Sequence, residues 1–535
     1  MAIASEESPL LPPQSDTESA KGPTAPPVTK RSDLLLIYGT FLGVFLASAD
    51  EALVISTYSA IASQFHRLSQ GPWLLLAYNF GYCISLPVYS VLGDAYGRKN
   101  VLVWSYTMFG VSCLACGASA TITQLVLSRV LAGSSGAGMV IVVSVILSDI
   151  IAPHEIALYR SYQNIVNVAG RSLGAPIGGF LTDTIGWRWA FYGQIPIILL
   201  CTLFVAIRLP SFLNDTVVDE AEDRDDETKS RRSPVWELNF AGIFTFSGTI
   251  LILLFFLETL GTLNEENVLQ TALLGLAFVS GCIIFILIEL FWAEKPLIPI
   301  RILSFGIGAH FLLQVLLLGG RSALVCNLVP YFIRVENTSD FLASLCHVVL
   351  ATGVSIGGVA CGLVIKHTKR CKSMTLTSLL VQTTCALLIF IQWRNGFKLW
   401  YSIYLLGLGI APGILFPALF VGMATYAPEG KLHVCIGTYY LSQQLGLIIG
   451  PAAGSALNQK LFAARLWTAL GGLKDKSVII HRILNEVRYA NTLPSALREV
   501  VRSSYLDSFP SVPLLTMVLS AGMIPIAAVL REAEV

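Results

Sequence analysis

Between residues 34 and 530 the chain is a succession of apolar runs, and that repetition restricts the possible folds more than any other feature. Windows near 34–57, 73–93, 101–119, 124–147, 163–181 and 190–208 precede a polar break. Others follow near 237–258, 269–292, 308–333, 341–365, 375–393, 399–422, 433–457 and 511–530. Roughly 20 apolar residues in a helix cross a hydrocarbon core. A bilayer offers no water to solvate peptide groups, so each run must satisfy its own backbone hydrogen bonds, as a helix does. The fourteen windows therefore predict an all-α polytopic membrane protein. Composition agrees, with 54% hydrophobic and 13% charged residues, against about 25% charged in soluble domains.

The polar stretches divide the chain. Residues 1–33 read as a disordered cytosolic tail, 34–208 as six helices, and 209–235 ("DEAEDRDDETKSRR") as an acidic cytosolic linker. Residues 236–302 hold two linking spans, 303–457 further helices, 458–510 a long loop, and 511–535 the last span and a short tail. Within that loop, "IIHRILNEVRYANTLPSALREVV" has amphipathic helical spacing. Positive charges on alternate sides set the orientation. One side holds Lys21, Lys30, Arg31, Arg98, Lys99, Arg160, Lys295, Arg301, Lys366, Lys369, Arg370, Lys372, Lys431 and Arg531. The other has Arg67, Arg188, Arg334, Arg394 and Lys398, so both termini are expected in the cytosol. Asn337, in "NTS", then falls on the non-cytosolic side, where a glycan can be attached; Asn214, in "NDT", falls on the cytosolic side and reads as a chance match.

Several function classes lose support. A net charge of +1 gives no electrostatic reason for a nucleic-acid partner. The eleven cysteines lie mostly in apolar stretches, the Cys113–Cys116 pair included, and read as inert thiols without metal spacing. No loop carries a catalytic constellation and no P-loop occurs, so neither an enzyme nor an ATP-driven pump is expected, and no cofactor or metal.

"LASADEALVIS", residues 46–56, sets Asp50 beside Glu51 within the first apolar run. Each acid costs about 2.5–3.5 kcal/mol at a bilayer centre, which makes the pair a candidate functional site. Arg129 and Arg171 are further charges inside apolar windows. "SVLGDAYGRKN", residues 90–100, combines a glycine suited to a tight turn, Gly97, with Asp94, Arg98 and Lys99. It resembles the G-x-L-x-D-x-x-G-R-K signature loop of the major facilitator superfamily, with Ser90 at the first glycine position. "RVLAGSSGAG", Arg129 to Gly138, resembles the superfamily's fourth-span motif, with Ala132 and Ser135 as departures. "GRSLGAPIGG" resembles the fifth-span antiporter motif through Gly170, Gly174, Gly178 and Gly179, its proline displaced to Pro176. Helix packing alone explains most of that glycine pattern, though not Arg171. "GLIIGPAAG", Gly446 to Gly454, and "GLVIKHTKRCK", Gly362 to Lys372, echo these motifs in the second half.

"ADEALVIS" resembles the first-span pattern of the fourteen-span drug:proton antiporter family, and "GWRWAF" and "AEKPLIPIRIL" match later patterns. The stretch from Phe45 to Asn100 is most similar to fungal vacuolar basic amino-acid transporters. The resemblance implies a major facilitator fold, two six-helix bundles plus two linking helices, with a site between the halves. It implies proton-coupled antiport of lysine, arginine and histidine from cytosol to vacuole. It makes Asp50 the cavity acid, and Glu51 a supporting one paired with an arginine such as Arg171. Asp94, Gly97, Arg98 and Lys99 would form the gating loop. Tyr78, Asn79, Gln163, Asn167, Gln443, His310, Gln314, Asn327 and Gln444 are candidate cavity residues, many equally suited to bonding neighbouring helices. "EESPLLP" fits an acidic dileucine sorting signal through Glu6, Leu10 and Leu11, read by clathrin adaptors. A plasma-membrane multidrug exporter and a transporter-shaped sensor remain alternatives.

Overall fold

The structure, a computed structural model, describes residues 31–151, 156–210, 213, 239–261, 267–293, 297–298, 300–303, 305–368, 370–426, 432–471, 476–530 and 532. Among them the regular structure is helical, with no strand. The N-terminal half comprises α1 (Arg31–Gln64), α2 (Trp73–Tyr96), α3 (Arg98–Ala118), α4 (Ile122–Ile150), α5 (Ile156–Thr184), and the short α6 (Trp187–Tyr192) continued by α7 (Gln194–Arg208). Two linking helices follow, α8 (Phe240–Gly261) and α9 (Val268–Phe291). The C-terminal half comprises α10 (Phe305–Glu336), α11 (Asp340–Thr368), α12 (Lys372–Gln392), α13 (Ser402–Tyr426) and α14 (Leu432–Ala469), then α15 (Lys476–Asn485), α16 (Ser495–Ser508) and α17 (Ser511–Val529).

Eleven helical segments among the described residues are long and apolar enough to cross a membrane. The fourteen windows exceed that number because α2, α5 and α14 are outside the eleven. These helices sit where the halves meet: α2 packs on α14, and α5 packs on α11. Helices that face protein on most sides need not be as apolar as lipid-facing ones.

The halves repeat one packing scheme. Helix α1 packs along α5 and α2 along α4; correspondingly, α10 packs along α14 and α11 along α13. Small residues explain the close contacts. A Cβ added at Gly170 would lie 2.6 Å from the Phe45 carbonyl oxygen, at Gly174 it would strike Ala49, and at Gly178 it would lie 2.9 Å from Leu53. In the other half Gly446, Gly450 and Gly454 approach Val315, Gly319 and Ala323 in the same way. Glycines four apart let one backbone lie against another.

The described hydrogen bonds between the halves gather at one end. Tyr58 donates to the Cys326 carbonyl at 2.8 Å. The Asp183 carboxylate accepts the backbone N–H groups of Asp340 at 3.3 Å and Phe341 at 2.8 Å, capping α11 from the opposite half. An apolar cluster spans both halves at this end, joining Leu53, Val54 and Ile61 to Leu324, Leu328 and Val329.

Residues 458–510, expected as a loop, are largely helical. Helix α14 runs on to Ala469, and α15 and α16 lie over the closed end. The segment between them ties the halves together: Glu486 pairs with His66 at 2.8 Å, the Val487 N–H donates to Ser63 at 2.9 Å, and Arg488 pairs with Asp340 at 3.1 Å. Amphipathic spacing gave the helical tendency; burial of Ile480, Ile483, Val501 and Tyr505 gives the cap its place. Arg334, read as a loop charge, is instead in the last turn of α10 and donates to the Ile483 carbonyl at 2.8 Å.

Candidate functional site

The two neighbouring acids of α1 meet different surroundings, because successive helix residues point about 100° apart. Asp50 faces into the N-terminal half and is 0% exposed. Its Oδ2 accepts from Arg129 Nη1 at 2.5 Å, and its Oδ1 from Gln194 Nε2 at 3.1 Å. Arg129 is 1% exposed, and its guanidinium lies 4.6 Å from the centre of the Tyr78 ring and 5.8 Å from that of Phe191. Arg129 Nε and Nη2 are buried without a hydrogen-bond partner among the described residues. A sealed pair of this kind tolerates its desolvation only while both partners are present.

Glu51 faces α5, a helix that itself packs on α11 of the other half. Its Oε2 lies 3.0 Å from Arg171 Nη2, with side chains 12% and 40% exposed. Helix α1 also meets α10 of the other half, which carries Arg321. The expected partner, Arg171, is found. Asp50, expected to face a cavity, is sealed against Arg129, whereas Glu51 is partly exposed beside Arg171. The physical reason is rotational, since the glycine-lined α1–α5 contact fixes which face of α1 turns inward.

The candidate cavity residues divide in a similar way. Gln163 bonds Ser144 and the Val140 carbonyl, joining α5 to α4. Asn167 accepts from Ser48 at 2.8 Å, and Tyr78 donates to the Ala47 carbonyl at 3.1 Å. Asn79 donates to Leu75 of its own helix at 3.1 Å. Gln314 accepts from Ser442 at 3.0 Å, Asn327 accepts from Asn458 at 3.2 Å, and His310 contacts the Gly306 carbonyl at 2.7 Å. These are bonds within and between helices. Gln443 is partly buried, and the buried Gln444 Oε1 has no partner among the described residues. A cavity of about 410 Å³ lies elsewhere, on an apolar face lined by Gly39, Leu42, Leu200 and Phe204.

Gly97 adopts φ +80° between α2 and α3, the positive-φ turn a glycine permits. Lys99 donates to the Leu209 carbonyl at 2.8 Å, tying the loop to the end of α7. The backbone at Asp94 belongs to α2, and its side chain lies outside the described residues. Gly179 packs against Asp340 and Ser344 of the opposite half, and Pro176 is accommodated within α5. Asn337 is exposed at φ +51° and accepts from Asn491 at 2.7 Å. Glu6, Leu10, Leu11 and Asn214 lie outside the described residues. Sequence reasoning missed Arg321 and Gln194. Arg321 carried the same signal as Asp50, a charge amid an apolar run, whereas Gln194 carried none.

Residues 40–333 match the model of the Major Facilitator Superfamily, more than half of the chain. The chain belongs to that superfamily. As a member it is a multi-pass secondary transporter of small molecules, akin to the drug:proton antiporter-like branch. A vacuolar membrane amino acid uptake transporter of Schizosaccharomyces pombe is 27% identical over 471 residues, covering 87% of this chain and 79% of that protein. A multidrug resistance protein of the same organism is 26% identical over 482 residues, with coverage of 88% and 87%. A vacuolar basic amino acid transporter of Saccharomyces cerevisiae is 24% identical over 507 residues, with coverage of 87% and 85%. The superfamily fold is shared with a bacterial homologue of the human lysosomal transporter Spinster, solved in an inward-facing, occupied conformation. The TM-score is 0.61 at 16% identity, covering 94% of this chain and 98% of that one.

Proposed function

We propose that the protein is a proton-coupled antiporter moving basic amino acids from the cytosol into the vacuole. The observation that carries this reading is the Glu51–Arg171 pair, partly exposed at the interface of the halves. One carboxylate there holds either a proton or a substrate's positive charge, and that competition is a sufficient coupling device. Arg171 occupies Glu51 when neither is bound. Exchange of one cation for one proton moves no net charge, so each pH unit supplies about 1.36 kcal/mol, or roughly tenfold accumulation. The Asp50–Arg129 pair acts as a brace inside the N-terminal half. Two relatives are named as vacuolar amino-acid transporters, which supports the substrate class and the membrane.

On this reading fourteen helices cross the membrane, with α2, α5 and α14 added to the eleven. Both termini are cytosolic, the closed end is lumenal, and Asn337 is open to glycosylation. Asp94, Arg98 and Lys99 steady the opposite end during alternating access. Glu6, Leu10 and Leu11 direct the chain to the vacuole through clathrin adaptors.

The test is uptake of labelled lysine, arginine and histidine into acid-loaded vesicles. Wild type accumulates them only while the pH gradient lasts. Accumulation that persists after the gradient is collapsed would rule out proton exchange. The relative named for multidrug resistance favours a second reading, a plasma-membrane exporter. A tagged protein at the cell surface, with lipophilic cations carried and lysine ignored, would establish that reading.

A further inference from the structure

At the middle of α10, away from Arg334 and Glu336 at its end, stands Arg321. A guanidinium at that depth needs an anion or water, because its desolvation is otherwise uncompensated. The other interior arginines have their partners: Arg129 has Asp50, Arg171 has Glu51, and Arg334 has the Ile483 carbonyl and the rings of Phe462 and Tyr505. Arg321 has no carboxylate within ion-pair distance among the described residues. Its described hydrogen bond is from Nε to the Leu408 carbonyl at 3.3 Å. It is only partly buried, unlike the sealed Arg129.

The charges at the interface do not balance. Glu51 contributes −1, and Arg171 and Arg321 contribute +1 each, a net of +1. Glu51 and Arg321 stand on the equivalent first helices of the two halves, α1 and α10. The site therefore offers an acid from one half and a free cation from the other, which suits a ligand carrying both an ammonium and a carboxylate. A guanidinium's planar fork matches a carboxylate in two-point contact. A ligand with positive charge alone would be opposed by the net charge and would leave Arg321 unpaired.

We propose that Arg321 binds the carboxylate of the transported solute, which makes a carboxylate a requirement of the central site and excludes simple amines. The inference rests on the transport reading above and narrows its substrate class. A solute held by Glu51 on one side and Arg321 on the other also bridges the two halves, so occupancy favours their closing around it.

The experiment compares lysine with cadaverine, which is lysine without its carboxylate. Unlabelled lysine should compete with labelled lysine for wild-type uptake, and cadaverine at equal concentration should not. R321Q should raise KM for lysine by about tenfold to a hundredfold, with R321K raising it less. Cadaverine competing as well as lysine, or R321Q keeping the wild-type KM, would overturn the proposal. The cadaverine arm uses only wild-type protein, so it decides the matter even if R321Q fails to fold. Thermal stabilisation of the purified protein by lysine, leucine, glutamate and cadaverine separates this inference from the reading beneath it. Stabilisation by leucine or glutamate but not lysine, lost in R321Q, would refute basic amino-acid transport and leave the Arg321 assignment standing.

Discussion

The two halves share a scaffold and differ in what they place on it. Gly170, Gly174 and Gly178 seat α5 against α1, and Gly446, Gly450 and Gly454 seat α14 against α10. From α1 the N-terminal half carries two ion pairs, Asp50–Arg129 to α4 and Glu51–Arg171 to α5. At comparable depth the C-terminal half is held by neutral bonds, such as Ser442 to Gln314 at 3.0 Å and Asn458 to Asn327 at 3.2 Å. Among the described residues its one central charge is Arg321. The contrast separates two tasks. Repeated small residues build the two bodies, and on the proposed reading charge on one body makes the machine sensitive to protons and ligand.

The strongest way to break that contrast is Asp50→Asn. It leaves Arg129 buried and unpaired, so the protein should lose about 3–5 kcal/mol of stability. Thermal unfolding of the detergent-purified protein measures it, and adding Arg129→Gln should restore part of the loss. Wild-type stability in Asp50→Asn would mean the buried pair braces nothing. Next come the glycine stripes, which test what the halves share. Gly174→Val and Gly450→Val should each cost about 1–3 kcal/mol by forcing helices apart. A large loss in one and none in the other would show that the stripes are not equivalent. Smaller again is Gln314→Leu combined with Ser442→Ala, which removes both ends of a neutral bond and should change stability by no more than about 1 kcal/mol. A loss as large as that of Asp50→Asn would erase the distinction between charged and neutral halves. Smallest in stability is Glu51→Gln, below about 1 kcal/mol because its arginine partner is partly solvated. Its effect on transport should be the greatest, with gradient-driven lysine uptake lost at normal abundance. Undiminished uptake in Glu51→Gln would return the coupling role to Asp50.

Much of this was legible without coordinates. Charges in apolar runs identified Asp50, Glu51, Arg129 and Arg171, because burying an ion is too expensive to occur without a partner or a function. The sequence offers Arg171 as one arginine that could pair with Glu51 without assigning it, and glycines spaced four apart announce close helix contacts. Arg321 obeyed the same rule as the acids, but nothing in its neighbours indicated that its helix would meet α1. Gln194 was illegible, because an amide near the start of an ordinary helix acquires meaning only when Asp50 arrives beside it at 3.1 Å. The segment 458–510 showed its helical spacing and hid its destination, since Ile480 and Ile483 specify a face to bury without specifying what will cover it.

The sequence by itself determined a helical membrane protein, its division into halves, and the small set of charges that must matter. Apolar length and the obligation to satisfy every backbone group leave few alternatives. Tertiary structure alone decided which acid is sealed and which faces the centre. A helix sequence establishes that Asp50 and Glu51 point about 100° apart, but not where either points. That rotation is set by contacts with residues more than a hundred positions away, where Gly170, Gly174 and Gly178 receive Phe45, Ala49 and Leu53.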